Sequence, residues 1–215
     1  MASEVELCNM ALSNIRSSGI NSLAESSLQA QQCKLKYATV RDMVLADADW
    51  GFNSVLTPLA ILSGVSIFNF LYAYQRPVDC LYINRLVLNY PYYSSGISTP
   101  LQNLGIISPD LDKQVAYREF NSNGVRVIAS NEASLYIDYR ARVTDPNLFN
   151  TSFMMAFSWL LAAEVAIPIV GAEQGRALRA DALNLYKSYV AAAAASAMSQ
   201  RYTAPRDSEF ITARY

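Results

Sequence analysis

The chain has 215 residues, of which 52% are hydrophobic and 16% charged, and its formal net charge at pH 7 is −1. It contains no histidine, which excludes Ser-His-Asp and Cys-His nucleophile systems and the usual zinc sites. The near-zero net charge excludes a sequence-reading DNA-binding domain, since such domains are strongly basic. Because globular domains usually contain about 25% charged residues, we expect other chains to cover part of the apolar surface.

The three cysteines, Cys8, Cys33 and Cys80, are an odd number at wide spacing, and each stands among apolar residues. Such a pattern is typical of buried free thiols in a reducing compartment. A disulfide or a metal site is the less favoured alternative.

Two helices are predicted in the first quarter of the chain. The first covers residues 3–16 and is capped by Ser3, and the second runs from about Glu25 to Asp47. The aromatic pair that follows, Trp50 and Phe52, is interpreted as a plug for the core rather than as a platform for a ligand. The stripes predicted to be buried are Val5, Cys8, Leu12 and Ile15 in the first helix and Ala30, Cys33, Tyr37, Val40 and Val44 in the second.

The middle of the chain is predicted to form a small antiparallel sheet. Its clearest signal is a hairpin in which Gly124 takes the left-handed turn position. The predicted elements are a strand-and-turn link over 57–70, a strand over 72–81 that ends in one short helical turn, and strands over 83–89, 115–120, 125–129 and 133–143.

The segment from Tyr90 to Lys113 has no sustained period and holds several prolines, glycines and serines. Loops of this length without secondary structure are usually functional or disordered. Its aromatic and aliphatic content favours a loop that contacts another chain, with plain disorder as the alternative. The candidate contact residues are Tyr92, Tyr93, Ile97, Leu101 and Leu104.

A third helix follows Thr144-Asp145-Pro146, which stops the last strand, and Asn150 or Thr151 is its predicted cap. Residues 153–167 are apolar on nearly every side, so the other segments are expected to pack around this helix. A membrane span over 153–170 is the weaker alternative, because Glu164 and Pro168 interrupt it.

Gly171 is a predicted helix stop, and the last helix covers Ala172 to Met198. Its predicted buried stripe is Leu178, Ala182, Leu185 and Tyr189. The remaining residues, Ser199 to Tyr215, have no period and are predicted to form a flexible tail.

Nothing in the sequence forms a catalytic or cofactor-binding constellation. The close aspartate pairs, Asp47/Asp49 and Asp110/Asp112, are interpreted as solvated turn acids. Gly171-x-x-x-Gly175 lacks the strand and the lysine of a phosphate loop. The sequence therefore predicts neither an enzyme nor a cofactor.

Three segments carry a resemblance to a known family. One runs from A-L-S-N-I through I-N-S-L-A-E-S-S and C-K-L-K-Y-A-T-V-R-D-M-V-L to W-G-F. Another, Y-A-Y-Q-R-P-V-D-C-L, contains a Tyr-x-x-Pro-x-Asp-Cys-Leu element. The last is Y-x-A-x-V-T-D-P-N-L-F running into F-x-x-A-x-x-x-L-L-A-A-E-V-A-x-P. Together they resemble the tail tubular protein A-like family, the adaptor or head-to-tail connector proteins of short-tailed bacteriophages.

The resemblance implies a structural virion protein in the neck of the phage, assembled in the host cytoplasm. Its subunits would form a homo-oligomeric, dodecameric ring beneath the portal protein and continue the DNA ejection channel. The ring would dock the tail tube or nozzle protein, and its contact with double-stranded DNA would be transient and non-specific. No membrane and no cofactor are implied.

The resemblance also suggests which residues meet these partners. The family's C-terminal segment reaches between portal subunits, which makes the tail a candidate portal-binding element. Basic residues of the second helix are candidates for the channel wall, although an ordinary solvated face is the favoured alternative. The candidates are Arg201, Tyr202, Arg206, Phe210, Arg214 and Tyr215 for the portal, and Lys34, Lys36 and Arg41 for the channel.

We therefore expect an α+β protein, with a four-helix core, a small antiparallel β-sheet inserted between helices 2 and 3, and a flexible C-terminal tail. The predicted parts are residues 1–56 and 147–198 for the helical core, 57–146 for the β region with its loop 90–113, and 199–215 for the tail. The alternative functions are a head-completion connector of a long-tailed phage, or a soluble ligand-binding or enzymatic domain with an apolar pocket.

Overall fold

The computed structural model describes residues 3–64, 69–88, 115–122 and 124–197, together with the backbone of 198–200. Within these ranges the chain is α+β, with four α-helices and two small three-stranded antiparallel sheets. All six strands follow the second helix in the chain and precede the third. The elements are α1 (Glu4–Asn14), α2 (Leu28–Asp47), β1 (Ser54–Pro58), β2 (Tyr72–Gln75), β3 (Cys80–Leu88), β4 (Tyr117–Ser122), β5 (Val125–Ser130), β6 (Leu135–Ala141), a 3-10 turn (Pro146–Leu148), α3 (Thr151–Val170) and α4 (Ala172–Gln200).

Side-chain caps fix the start of α1 and α3. The hydroxyl of Ser3 accepts a hydrogen bond from the amide of Glu6 at 3.1 Å. The side-chain oxygen of Asn150 accepts one from the amide of Phe153 at 2.8 Å. Each cap satisfies an amide that has no partner within its helix, so both predicted caps are confirmed.

The second helix begins later than predicted. The Glu25 carboxylate accepts hydrogen bonds from the amides of Asn21 and Ser22 at 2.7 and 2.9 Å. This acid therefore closes a turn instead of entering a helix, and Ser27 becomes the N-cap of α2.

Helix α3 is the centre of the helical part, because α1, α2 and α4 all pack against it. Phe153, Phe157 and Leu161 on α3 are fully buried. The ring of Trp50 meets that of Phe153 edge-on, with 5.4 Å between centroids. The predictions of a core helix and of an aromatic plug are therefore confirmed.

The stripe predicted for the last helix is wrong in part, because Leu185 is 40% exposed. The buried residues of α4 include Ala182 and Tyr186, which are four positions apart. The predicted stripe instead placed Leu185 three positions after Ala182. The other predicted stripes hold, except that Val5 on α1 is only partly buried.

The hinge between α3 and α4 is a single residue, Gly171, whose φ of +98° reverses the chain. Gly175, one turn later, lies so close to α3 that a β-carbon would stand 2.8 Å from the α-carbon of Ile167. The glycine pair predicted not to bind phosphate thus belongs to a tight helix–helix contact.

The strands form two sheets rather than the single sheet predicted. One has the order β1-β6-β3 and the other β2-β5-β4. The chain passes between them after β1, because the Leu59 amide bonds the carbonyl of Leu135 at 2.8 Å and the Leu62 amide bonds that of Ala73 at 2.7 Å. A bend after Pro58 therefore moves one extended segment from the first sheet to the second.

The two sheets enclose a second core. Alternate residues of β6, including Ile137 and Tyr139, face Tyr74 and Ile128 of the other sheet. Gly124 in the β4–β5 hairpin has a φ of +82°, which confirms the predicted left-handed turn residue. In β6, whose buried residues alternate without a break, alternating polarity thus predicts the buried face.

The predicted helical turn before β3 is a simple turn, closed by a hydrogen bond of 3.1 Å from the amide of Cys80 to the carbonyl of Pro77. Cys80 then begins a strand that was predicted to start at Ile83. The predicted contact loop over 90–113 lies outside the described residues, as does the tail beyond residue 200.

Candidate functional site

The C-terminal end of α2 is the corner at which the helical and β parts meet. Its last carbonyls have no partner within the helix, and side chains from outside bind them. The indole of Trp50 donates to Val44 at 2.7 Å, and the Asn53 amide group donates to Leu45 at 2.9 Å. The Arg140 guanidinium on β6 donates to the carbonyl of Ala46.

Helix α4 is tied to the same corner by Asp47, whose carboxylate accepts a hydrogen bond from the hydroxyl of Tyr186. Burial, and then the neighbouring carboxylate, raise the pKa of Tyr186 well above its ordinary value. Asp47 was predicted to be a solvated turn acid; it is exposed as expected, but it is the last residue of α2 and binds Tyr186. A tyrosine on a distant helix cannot be inferred as a partner from local sequence.

Asp49 fits the turn prediction, since its carboxylate accepts a hydrogen bond from the amide of Gly51 at 3.1 Å. It also lines a cleft of about 240 Å³ between this corner, the start of α3 and the end of α4. Among the described residues of the lining, Asp49 is the only ionisable one, so they supply no acid–base pair. The lining residues are Asp49, Trp50, Gly51, Ser54, Asn150, Ser152, Ala193, Ser196 and Ala197.

The three basic candidates on α2 have different surroundings. Lys34 is exposed. Lys36 pairs with Glu164 of α3 at 3.3 Å, and the same carboxylate accepts Arg179 of α4 at 3.4 Å. Glu164, which interrupts the apolar sequence of α3, therefore bridges three helices.

Arg41 was placed off the buried stripe by helical spacing, but the structure buries it. Its guanidinium lies 2.8 Å from the carboxylate of Asp42, which also binds Arg142 at 2.8 Å. Arg41 therefore does not present a free charge to a channel. Its partner Asp42 is its neighbour on α2, and Arg142, which follows β6, binds the same carboxylate.

Large apolar side chains are exposed on both parts of the molecule. On α2, Leu35 is 68% exposed, and Leu28 and Met43 are about half exposed. In the β region, Leu71 is 77% and Val78 88% exposed. These exposures are far above those of core residues and mark candidate contact surfaces.

All three cysteines are free and buried, as predicted. A hydrogen bond with Cys33, and then burial, raise the pKa of the Cys8 thiol far above its ordinary value. Burial raises the pKa of Cys80 to about 11. Because the thiolate is the reactive form, Cys8 and Cys80 are poor nucleophiles at neutral pH.

In the described parts of the chain, no three acidic or cysteine side chains are grouped so as to hold a metal ion. Among the described helices, α3 alone is long and apolar enough to cross a membrane by length and composition, and 56% of its most apolar window is buried inside the protein.

Comparisons with known proteins give no family. No family model matches the chain, and no curated protein sequence matches it.

Proposed function

We propose that this chain is a structural virion protein, the subunit of an adaptor ring that joins a phage portal to the tail and continues the DNA channel. The resemblance of its three sequence segments to the tail tubular protein A-like family is the starting point. The observation that carries the proposal is that these segments, although distant in sequence, bind one another in the fold.

The contacts between the three segments are specific. Trp50 of the first segment packs edge-on against Phe153 of the third and accepts a hydrogen bond on its carbonyl from Asn150 at 3.0 Å. Asp79 of the second segment accepts hydrogen bonds from the hydroxyl of Tyr139 at 3.1 Å and, through its carbonyl, from the Arg142 amide at 2.7 Å. Residues shared with a family for structural reasons are expected to form such a framework.

The exposed apolar residues could be buried in the interfaces between the subunits of a ring. A closed ring of identical subunits is held by head-to-tail interfaces, in which two different surfaces of each subunit meet. Leu35 lies on the helical part, and Leu71 and Val78 lie on the β part, so both parts of the subunit expose apolar side chains. We infer that burial of these residues between subunits stabilises the ring.

In this proposal, the β region is an insertion into a helical unit. Helices α1 and α2 pack on α3, which comes after all the strands in the chain. The helical unit would form the wall of the ring, with Lys34 as the remaining candidate for contact with DNA. The β region and residues 90–113 would meet a neighbouring subunit or the tail tube, and residues 201–215 the portal.

The proposal is tested by mass photometry and negative-stain microscopy of the purified protein, alone and mixed with the cognate portal. We expect a ring in at least one of these samples. Leu35→Asp should prevent ring formation while leaving the monomer folded, because it puts an unpaired charge into the interface. Leu148→Asp is the matched control, since Leu148 is 58% exposed and belongs to the 3-10 turn between β6 and α3. A wild-type protein that remains monomeric with and without portal would contradict the proposal.

A further inference from the structure

Two free thiols, those of Cys8 on α1 and Cys33 on α2, meet in the seam between these helices. Both side chains are fully buried in the helical core. The thiol of Cys8 is hydrogen-bonded to the sulfur of Cys33, so the two sulfur atoms are in contact. Cys80 belongs to the separate core between the two sheets. The fold therefore places two of the three thiols side by side and keeps the third apart from them.

Hydrogen bonds to the link between α1 and α2 hold this seam together. The side chain of Asn9, the residue after the first cysteine of the pair, donates to the carbonyl of Ile20 at 2.9 Å and accepts the Ile20 amide at 2.7 Å. The amide group of Gln29, one helical turn before the second cysteine, donates to the hydroxyl of Ser18 at 3.4 Å. The link thus binds both helices within one turn of each cysteine and fixes the two positions relative to each other.

The two thiols differ in reactivity. Their hydrogen bond lowers the pKa of Cys33, whereas it raises the pKa of Cys8, as burial also does. Because the thiolate is the form that reacts with oxidants, Cys33 is the better nucleophile of the pair and Cys8 keeps its proton. Both sulfur atoms are buried, so hydrogen peroxide reaches them with less opening of the core than a bulkier oxidant would need.

We propose that Cys8 and Cys33 are a latent disulfide, which a peroxide closes and which then locks α1 onto α2. The Cys33 thiolate attacks one oxygen of hydrogen peroxide; the S–O bond forms, the O–O bond breaks, and the departing hydroxide takes up the proton that Cys33 released. The sulfur of Cys8 then attacks the sulfenic sulfur of Cys33, and the displaced hydroxide leaves as water with the Cys8 proton. Two thiols and one peroxide thus become one disulfide and two waters, and two electrons pass from sulfur to oxygen.

For a virion subunit, this lock would close only after the particle leaves the cell. The reducing host cytoplasm, where assembly is proposed, keeps thiols reduced, and the released particle meets oxidants outside it. That timing rests on the proposed function, whereas the reaction of the two cysteines does not. The test therefore uses the free full-length chain, so that failure of the adaptor proposal and failure of this one are distinguishable.

The experiment treats the reduced full-length protein with hydrogen peroxide and measures its intact mass before alkylation and tryptic mapping. We expect a loss of about 2 Da, for the two hydrogens removed, and a tryptic species that joins residues 1–16 to residues 17–34. Cys80, in the tryptic peptide 42–85, should still be alkylated. The oxidised protein should unfold about 5–10 °C above the reduced one, because the bond constrains the unfolded chain.

Cys80→Ala is the matched control, since it removes another buried thiol and should keep the linked species. Cys33→Ala should lose this species, and peroxide should no longer raise its unfolding temperature. Circular dichroism verifies the fold of both variants. Wild-type Cys8 and Cys33 that stay alkylatable, while glutathione in the same tube is fully oxidised, would overturn the proposal. A link that involves Cys80, or one that joins two chains on a non-reducing gel, would also overturn it.

Discussion

The hydroxyl of Tyr139 on β6 donates to the carboxylate of Asp79 in the turn before β3, and lies 3.1 and 3.3 Å from its two oxygens. The two residues are 60 positions apart and belong to different segments of the family resemblance. Asp79 also binds the Arg142 amide through its carbonyl at 2.7 Å. This turn is thereby fixed to the strand that leads into α3.

The raised pKa of Tyr139 makes the folded protein less stable as the pH rises into the alkaline range. Burial, and then the charge of Asp79, raise the pKa of Tyr139 from 10.0 to about 12 in the folded protein. The unfolded chain therefore loses this proton at a lower pH than the folded one. The stabilising effect is complete below pH 10 and is lost as the pH rises towards about 12.

Tyr139→Phe should lower the free energy of unfolding at pH 8 by about 1 kcal/mol, through the lost hydrogen bond. It should also make the alkaline loss of stability shallower than in the wild type. Chemical denaturation between pH 8 and 11.5 measures both effects. Tyr136→Phe, on the outer face of the same strand, is the control. Identical alkaline slopes for wild type and Tyr139→Phe would refute the assignment.

Local signals predict much of this fold because they act through neighbouring residues. Ser3 and Asn150 are caps as expected, and the spacing of Cys33, Tyr37 and Val40 identifies the buried side of α2. Prediction from the sequence fails where a contact between distant parts of the chain determines the structure. Arg41 is buried beside Asp42, which also holds Arg142, and the bend after Pro58 creates a second sheet.

The candidate site was less predictable than the fold for the same reason. The cleft is built from the α2–β1 corner, the start of α3 and the end of α4, which are separated by most of the chain. The sequence singled out Asp49 only as a turn acid. Its place opposite the last turns of α4 depends on how α3 and α4 pack.

That packing is tested by Gly175→Ala. In an exposed helix this change stabilises, since alanine is a better helix former by about 1 kcal/mol. Here a β-carbon would lie 2.8 Å from the backbone of Ile167, which cannot move aside. We expect destabilisation of about 1–3 kcal/mol, measured by urea unfolding. Ala177→Gly, at an exposed site of the same helix, should cost only about 1 kcal/mol. A more stable Gly175→Ala protein would contradict the close contact.

Two leucines, one in the core of the helical part and one on its surface, should respond differently to truncation. Leu160 is 4% exposed on α3, and Leu185 is 40% exposed on α4. Leu160→Ala should lower the free energy of unfolding by about 2–5 kcal/mol, through a lost apolar side chain and a cavity. Leu185→Ala should cost less than about 1 kcal/mol. Comparable losses in the two variants would mean that α3 is not the centre of the core.

The loop between β3 and β4 is tested by deletion. Removing Tyr92 to Ile107 should leave the monomer folded, because both sheets are paired without it in the described residues. Assembly into a ring should be impaired, since the loop is predicted to contact a neighbouring subunit or the tail. Circular dichroism reports the fold and mass photometry the oligomer. An unfolded deletion variant would place the loop in the core of its own subunit.

The last prediction concerns residues 201–215 and the portal. Helix α4 extends to Gln200, so truncation after Gln200 removes the predicted portal-binding segment and leaves the helix complete. Arginine and aromatic residues such as Arg206, Phe210 and Tyr215 are typical of energetic centres in protein interfaces. We expect the truncation to weaken binding to purified portal at least about tenfold, a change that corresponds to about 1.4 kcal/mol. A chain in which residues 202–215 are scrambled separates sequence-specific docking from the general effect of a charged tail. If the truncated protein binds portal as tightly as the full chain, the docking surface lies elsewhere on the subunit.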